Sequence, residues 1–422
     1  MKDNSSGIIN IWNLPQEKIF VKLNKNTRRV LVSKLLRRYK TLAEISRRTG
    51  LSYSITKKFK YGTRSISLQA LNKIIITLGK PQLKDLINKN IEKLLSKTGG
   101  KGISQPKTLF NFNSIEGAIF LSAIFHDGGI NKDMQPFYAN FDEKMRTKIK
   151  NVSEQIFGKA EFYENKKDNP FVRFPKIIGI ILVYGLGMKP GYKVYNNPAV
   201  PEFILSSDLS IKKAFIKQAF DDEGSISRNE IYFSLATDVT NIPKEVRSRI
   251  KKFKLLKFAS RIFLADKAIL ENIGIKPTFS VYETKVKKNK EIRHYWQMCI
   301  TTKLNLLLFA NNVGFTINYK KEKLKKLAKK YEKKKEISPY GKGKVDALKR
   351  IGELEKSKGY FNSITLAKFL DKSFALSSLR IKQLKDEKLI KKIGEQKSRG
   401  PIPIYLYRIS ERGRRYIKSQ KL

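Results

Sequence analysis

Phe120-Leu-Ser-Ala-Ile-Phe-His-Asp127-Gly128-Gly-Ile130 and Ile216-Lys-Gln-Ala-Phe-Asp-Asp-Glu223-Gly224-Ser-Ile226 are two versions of one pattern. Each is an apolar stretch ending in an acid, then glycine, then a β-branched residue two further on. The acids lie 96 residues apart. Downstream, Gly187-Met-Lys-Pro-Gly-Tyr192-Lys193 matches Gly314-Phe-Thr-Ile-Asn-Tyr319-Lys320 at an offset of 127. At that offset Lys176 falls on Lys303, and each opens an apolar helical stretch, 177–184 and 304–311. The growth in offset makes the second copy about 31 residues longer, and the basic stretch 243–258 is the expected addition. A duplication this long predicts two pseudo-symmetric halves rather than a solenoid.

Both stretches read as apolar helices that can be buried against each other. Ala123 and Ala219 stand four residues before the acids, where small side chains let two backbones approach. Asp127 and Glu223 would then emerge side by side at the helix C-termini. The helix dipole makes that end repel anions and favour a cation. Two facing carboxylates, with carbonyl and phosphate oxygens, suit octahedral Mg²⁺ at about 2.1 Å. Gly128 and Gly224 would let the chain turn into a strand.

These segments resemble the LAGLIDADG homing endonucleases in their single-chain, two-motif form. The resemblance runs from about Ser114 to Tyr331, through the lead-in Val200-Pro201-Glu202-Phe203-Ile204 and the closing Trp296–Phe315 stretch with Val313-Gly314-Phe315. It implies an α+β fold: two pseudo-symmetric αββαββα halves, about 114–195 and 200–331, forming a curved antiparallel saddle within an endonuclease domain spanning 107–337. It implies that Asp127 and Glu223 bind catalytic Mg²⁺ or another divalent cation. It implies basic residues near the scissile phosphate, for which repeat symmetry offers Lys176 and Lys303, and more weakly Arg173. Phe125 departs from the acid common at its motif position, where the second copy keeps Asp221. Asp222 is an alternative ligand to Glu223.

Composition agrees with a polyanionic partner. The 422 residues hold 88 Lys+Arg against 37 Asp+Glu, a net charge of +51. No apolar run reaches the ~18 residues a membrane span needs, so no membrane partner is expected. One cysteine, Cys299, excludes an internal disulfide framework, and two histidines, His126 and His294, argue against zinc hydrolases. His126 reads as a local packing or polar residue rather than a ligand; His294, Trp296 and Cys299 read as core or groove residues of a strand. There is no splicing-type Cys or Ser start with a terminal His-Asn, so an intein is not expected.

The charge is densest at the ends. Residues 1–100 carry a net +17, residues 341–422 a net +14, and the 240 residues between them +20. A Gly/Ser/Lys-rich stretch at 98–106 reads as a linker, and so does 338–343 after the Lys-rich helical run 320–335. Residues 1–100 read as a helical domain. Thr41 caps a helix, with Glu44 at the capping-box position; Gly50 turns the chain; Ser52 starts a second helix to about Lys60; a third runs from Ser67 to Leu78. The stretch 41–79 resembles the Cro/C1-type phage-repressor helix-turn-helix, with Ile55 or Thr56 in the buried slot. Ser52, Tyr53, Ser54, Lys57 and Lys58 would face the major groove.

Residues 343–422 resemble a winged helix. Helices are expected at 344–357, 363–370 and 374–387, strands at 389–393 and 403–409, and a basic helix at the end. Ser377, Ser378, Lys382 and Lys385 would lie on the third helix, Lys397 and Arg399 on the wing. In the centre, strands are expected within 130–140, 226–236 and 279–300. Arg228, Lys285, Lys287, Lys288 and Arg293 would meet phosphates or base edges. The function expected is site-specific, Mg²⁺-dependent cleavage of both strands of a long asymmetric DNA target by a monomer in a prokaryotic-type, nucleoid-associated setting. The alternatives are an intron maturase of the same fold, with intron RNA as partner, and a DNA-binding transcription regulator.

Overall fold

The computed structural model describes residues 6–227, 229–332, 342–370, 374–396 and 403–419. They fall into two compact units, Met1–Tyr331 and Glu332–Leu422. The fold is α+β, and the sheets are antiparallel.

The first unit opens with β1 (Ile8–Asn10), β2 (Phe20–Leu23) and helices α1 (Lys25–Tyr39), α2 (Leu42–Thr49) and α3 (Tyr53–Tyr61). The Thr41 hydroxyl accepts the Glu44 N–H at 3.2 Å, which starts α2. The Glu44 side chain does not reach back as a capping box would; it takes hydrogen bonds from Arg47 and Arg48. Gly50 ends α2 at φ 61°, a left-handed conformation that suits glycine. Ser52 caps α3 through the Ile55 N–H. Thr56, not Ile55, fills the buried slot, since Ile55 is 42% exposed. The Thr56 hydroxyl stays satisfied by donating to the Ser52 carbonyl. After β3 (Ile66–Ser67), α4 (Leu68–Leu78) buries Leu71, Ile74, Ile75 and Leu78.

This region is not a separate helical domain. After α5 (Leu83–Asn88) come β4 (Ile91–Leu95), β5 (Gly102–Ser104) and β6 (Leu109–Asn111). β4 and β5 pair across the expected linker, so the Gly-rich stretch is a hairpin turn. Turn and linker use the same residue types, so composition does not separate them. β5 also pairs with Lys159–Ala160 of the central region, and β1 pairs with β6. The N-terminal helices and the central region therefore share a sheet and one unit, which corrects the boundary expected near residue 100.

The central region repeats one plan. Its first half runs α6 (Ile115–Phe125), β7 (Gly128–Ile130), β8 (Pro136–Ala139), α7 (Glu143–Phe157), β9 (Lys159–Ala160), β10 (Tyr163–Asn165), β11 (Phe171–Arg173) and α8 (Lys176–Ile180). The short helices α9 (Lys193–Asn196) and α10 (Glu202–Leu205) lead on. The second half runs α11 (Leu209–Glu223), β12 (Ser225–Ile226), β13 (Ile231–Asp238), α12 (Lys244–Phe253), α13 (Arg261–Asn272), β14 (Thr278–Val286), β15 (Ile292–Ile300), α14 (Lys303–Asn312) and α15 (Asn318–Glu332). The sheets have equivalent strand orders, β7-β8-β11-β10 and β12-β13-β15-β14. α7 packs on α6 as α13 packs on α11, so α12 is the extra helix of the longer copy.

Along β15, His294, Trp296, Met298 and Ile300 are buried, while Arg293, Tyr295, Gln297 and Cys299 lie on the other face. That settles which strand residues are core and which line the open face. Leu324 and Leu327 bury one side of α15.

The second unit contains α16 (Lys342–Lys358), α17 (Ser363–Leu370), α18 (Phe374–Asp386), β16 (Ile390–Gln396), β17 (Ile404–Ile409) and α19 (Glu411–Ser419). β16 and β17 form a hairpin, and Phe361 bridges to Tyr407. Leu348, Ile351, Leu366, Leu384 and Ile409 help fill its own core. Ser377 is buried, so it faces this core and not a ligand; Lys382 and Lys385 are exposed and Ser378 is half-buried. Arg228, Lys397, Arg399 and most of the break at 338–343 lie outside the described residues. Among the described residues, no helix is long and apolar enough to cross a membrane.

Candidate carboxylate centre between the two halves

α6 and α11 bring the two acids together because they pack face to face. Ala123 and Ala219 are fully buried in this contact. Ser122 strengthens it by donating its hydroxyl across the seam to the Phe215 carbonyl at 2.8 Å. α6 ends at Phe125, with Asp127 two residues on, and α11 ends at Glu223. Gly128 and Gly224 matter for space and not for a positive φ. A Cβ on Gly128 would stand 2.6 Å from the Phe137 carbonyl oxygen and 2.7 Å from that of Ala123. A Cβ on Gly224 would stand 2.4 Å from the Phe220 carbonyl oxygen.

An open cavity of about 480 Å³ lies at the seam, lined by Asp127, Asn140, Phe141, Asp142, Asp221, Asp222, Tyr319 and Lys320 among others. Asn140 donates to Asp127 Oδ2 at 2.9 Å. Burial pushes the Asp127 carboxyl above the usual range, against the pull of Lys193 and His126. Burial and then the charge of Asp127 push Glu223 up, against His126, Lys193 and Lys320. Glu223 is not among the residues lining the cavity, yet it belongs to the same electrostatic cluster. Asp222 is pushed well up by burial and by Asp127. Tyr138 from the first half donates to Asp222 Oδ1 at 2.6 Å, and Gln218 donates to it at 2.9 Å.

Two lysines that the repeat matches, but to which the sequence pattern gives no chemical role, close the helix ends. Lys193 Nζ donates to the Phe125 carbonyl at 2.8 Å and also to the His126 carbonyl. Lys320 Nζ donates to the Phe220 carbonyl at 3.2 Å and also to the Asp221 carbonyl. Each ammonium therefore sits at the negative end of a motif helix, beside an acid. Burial lowers Lys193 to about 8 and lowers Lys320 as well, both against the carboxylates. The matched Tyr192-Lys193 and Tyr319-Lys320 blocks were the signal that could have found them. Lys176 is exposed at the start of α8, and Lys303 is half-buried at the start of α14. Neither is among the charges acting most strongly on Asp127 or Glu223. Arg173 is exposed, with its guanidinium over Phe171 and Tyr163.

The donor chemistry fits a hard divalent cation. Carboxylates crowd one partly sealed hollow, and Asp221 Oδ2 and Asp222 Oδ2 are buried without a hydrogen-bond partner. Among the described residues, no three Asp, Glu, His or Cys side chains converge as a complete cage. Such a site offers one or two carboxylates and leaves the remaining positions to phosphate and water, which is how Mg²⁺ is commonly held.

Two further charged contacts cross the seam. His126 Nε2 lies 3.1 Å from Asp266 Oδ2 of α13, and both side chains are fully buried. Lys148 of α7 donates to Gln218 at 2.7 Å and lies 3.7 Å from Asp221. In both contacts the basic side chain comes from the first half and the carboxylate from the second, whereas at the cavity Asp127 comes from the first half and Lys320 from the second. His126, read from sequence as a local packing or polar residue, is a buried, hydrogen-bonded residue of the seam.

Of the residues expected to meet DNA, Ser52, Tyr53, Lys57 and Lys58 are exposed on α3. Lys285, Lys287 and Arg293 gather at one end of the β14–β15 hairpin. Lys285 and Lys287 lie over the Tyr295 ring, and Arg293 pairs with Glu291 at 2.8 Å.

No protein-family model matches the chain. A probable translation initiation factor IF-2 of Methanocaldococcus jannaschii is 26% identical over 240 residues, 55% of this chain and 17% of that protein. The replication factor C small subunit of the same organism is 27% identical over 240 residues, 55% of this chain and 11% of that protein. A tRNA-splicing ligase RtcB of Methanopyrus kandleri is 28% identical over 180 residues, 42% of this chain and 16% of that protein. The chain therefore spans less than a fifth of the length of these curated relatives. Among solved structures, full-length WhiA from Thermatoga maritima has a TM-score of 0.29 at 11% identity, covering 65% of this chain and 92% of that one. The homing endonuclease I-DmoI in complex with DNA and Mn has a TM-score of 0.31 at 13% identity, covering 48% of this chain and 97% of that one. At these TM-scores the likenesses are too slight to assign a fold or an activity.

Proposed function

We propose that the chain is a site-specific DNA endonuclease that hydrolyses phosphodiester bonds with Mg²⁺ or a similar divalent ion. The observation that carries this reading is the pair Asp127 and Glu223. Each lies at the end of one of two packed, equivalent helices that a lysine closes, half-buried Lys193 on one and buried Lys320 on the other. The duplicated αββαββα plan supplies an open sheet face on each half for a long, asymmetric target. The three curated relatives are named for three different activities, yet the match covers only 11–17% of each. A short match to proteins named for three different activities favours a self-contained module.

Asp127 and Glu223 would hold the ion, with Asp222 as the neighbouring acid. A bound divalent ion supplies Lewis acidity at the phosphate and lowers the pKa of water. Asn140 fixes one oxygen of Asp127. Lys193 and Lys320 tie down the last carbonyls of the motif helices, so the acids leave a rigid floor. Lys176 and Lys303 are the proposed groups that polarise the phosphate. Lys285, Lys287 and Arg293 on the hairpin would contact the duplex. So would Ser52, Tyr53, Lys57 and Lys58 of a helix-turn-helix, and Ser378, Lys382 and Lys385 of a winged helix. Bidentate arginine contacts would give specificity, and the lysines would give affinity and salt dependence.

The test is cleavage of a randomised-target plasmid library, and of the encoding locus, by the purified full chain with Mg²⁺. A specific double-strand break is expected. Asp127→Asn and Glu223→Gln should each abolish it while binding to the selected site persists. Undiminished cleavage by both variants would refute the assignment. Tight, specific RNA binding without DNA cleavage would point to a maturase, and sequence-specific DNA binding without cleavage to a regulator.

A further inference from the structure

α12 has no counterpart in the first half, and its exposed face is basic, with a single acid, Glu245. Lys244, Arg249, Lys251, Lys252 and Lys254, with Lys257 just beyond, are exposed. None of the six has a carboxylate partner among the described residues. The opposite side of the helix is anchored. Ile250 is fully buried, and Arg247 donates to the Ile242 carbonyl at 2.8 Å. The cations therefore project from a fixed frame and not from a loose tail.

Position gives this face a role. The loop before α12 is tied to the base of the β14–β15 turn, where the Val239 N–H donates to the Ile292 carbonyl at 2.9 Å. α12 packs on β14. The exposed Lys288 and Lys290 in that turn continue the basic surface. The N-terminal module joins the first half through the β5–β9 pairing. Each half thus has its own basic extension: the α3 module on the first, α12 on the second.

We propose that the exposed face of α12 is a phosphate-backbone clamp that extends the duplex footprint beyond the second half, as the N-terminal module would extend it beyond the first. This rests on the DNA-binding reading above. Duplex fits better than single-stranded RNA. Specific single-strand recognition relies on stacking platforms. Here there is one exposed ring, Phe253, among six cations. Cations on a rigid helix match a regular row of phosphates and carry no sequence information.

The experiment replaces Lys251, Lys252, Lys254 and Lys257 with Gln in the full chain. All four are exposed, so the melting temperature should stay unchanged. Hydroxyl-radical footprinting on the selected target, with Ca²⁺ in place of Mg²⁺, reads the footprint. Protection should vanish on the flank beyond the second half and persist on the flank beside the N-terminal module. The slope of log affinity against log salt should fall by roughly 2–4, about 0.9 for each phosphate the variant no longer neutralises. Binding titrations on a structured RNA pool run alongside. An identical footprint and slope would overturn the clamp, and so would weakened RNA binding with the DNA footprint intact. A wild-type chain that protects no DNA at all would overturn the endonuclease reading itself.

Discussion

Lys193 and Lys320 show one problem solved twice. A helix C-terminus that presents an acid accumulates negative charge, and each half places an ammonium on its last carbonyls. Lys320→Met should lower cleavage on the order of 10–100-fold, as loss of a group supporting a metal ligand does. DNA affinity measured in Ca²⁺ should stay within about 3-fold of wild type, because Lys320 is buried and its ammonium is held by the Phe220 and Asp221 carbonyls. His126 supplies a pH signature. Burial alone would push it down, but the Asp266 carboxylate raises it to about 8. Its folded value thus lies above the ~6.5 of an unfolded chain. The stabilisation is complete below about pH 6.5 and is lost as pH rises through about 8. Thermal denaturation should show the melting temperature falling across that window, and Asp266→Asn should flatten the dependence.

At the scale of elements, the seam between α6 and α11 governs the geometry of the centre. Two helices approach this closely only where side chains are small, and Gly128 begins a strand with no room for a methyl group. Gly128→Ala should therefore destabilise the fold by about 1–3 kcal/mol through overpacking, seen as a lower melting temperature. Thr56→Val in α3 makes a contrasting case. It exchanges a satisfied buried hydroxyl for a methyl of the same shape, so the melting temperature should stay within about 2 °C. The sequence left the α3 slot open between Ile55 and Thr56, since both fit helical spacing. Packing decides it, because α3 turns Thr56 inward and leaves Ile55 in solvent. The motif helices themselves were legible, because long apolar stretches that end in an acid and glycine are periodic and repeated. The hydrogen bonds from Lys193 and Lys320 were not, because they join residues 67 to 100 positions apart.

At the scale of the whole molecule, the positive charge is spread over two units with separate cores. A chain ending at Tyr331 should keep the melting transition of the first unit, measured by calorimetry. Its salt slope for DNA binding should be shallower than that of the full chain, because it lacks the +14 of residues 341–422. A chain beginning at residue 107 should fare differently. It loses β1, β2 and β4, together with β5, and so strips partners from β6 and from β9 of the first half. It should unfold at a clearly lower temperature. The two ends of the chain look alike in composition, yet only the C-terminal one is a separate unit.

The sequence by itself determined the duplication, the two acids at equivalent helix ends, the extra basic helix of the second copy and the order of elements at the C-terminus. These are properties of local pattern, in which periodicity, apolar runs and spacing report directly on helices and strands. Tertiary structure alone decided that the N-terminal helices share a sheet with the first half. It also decided that Lys193 and Lys320 reach the last carbonyls of the motif helices, and that His126 and Lys148 of the first half meet Asp266 and Asp221 of the second. Each of these joins residues far apart in the chain, and no local pattern encodes which distant partner a buried charge will meet.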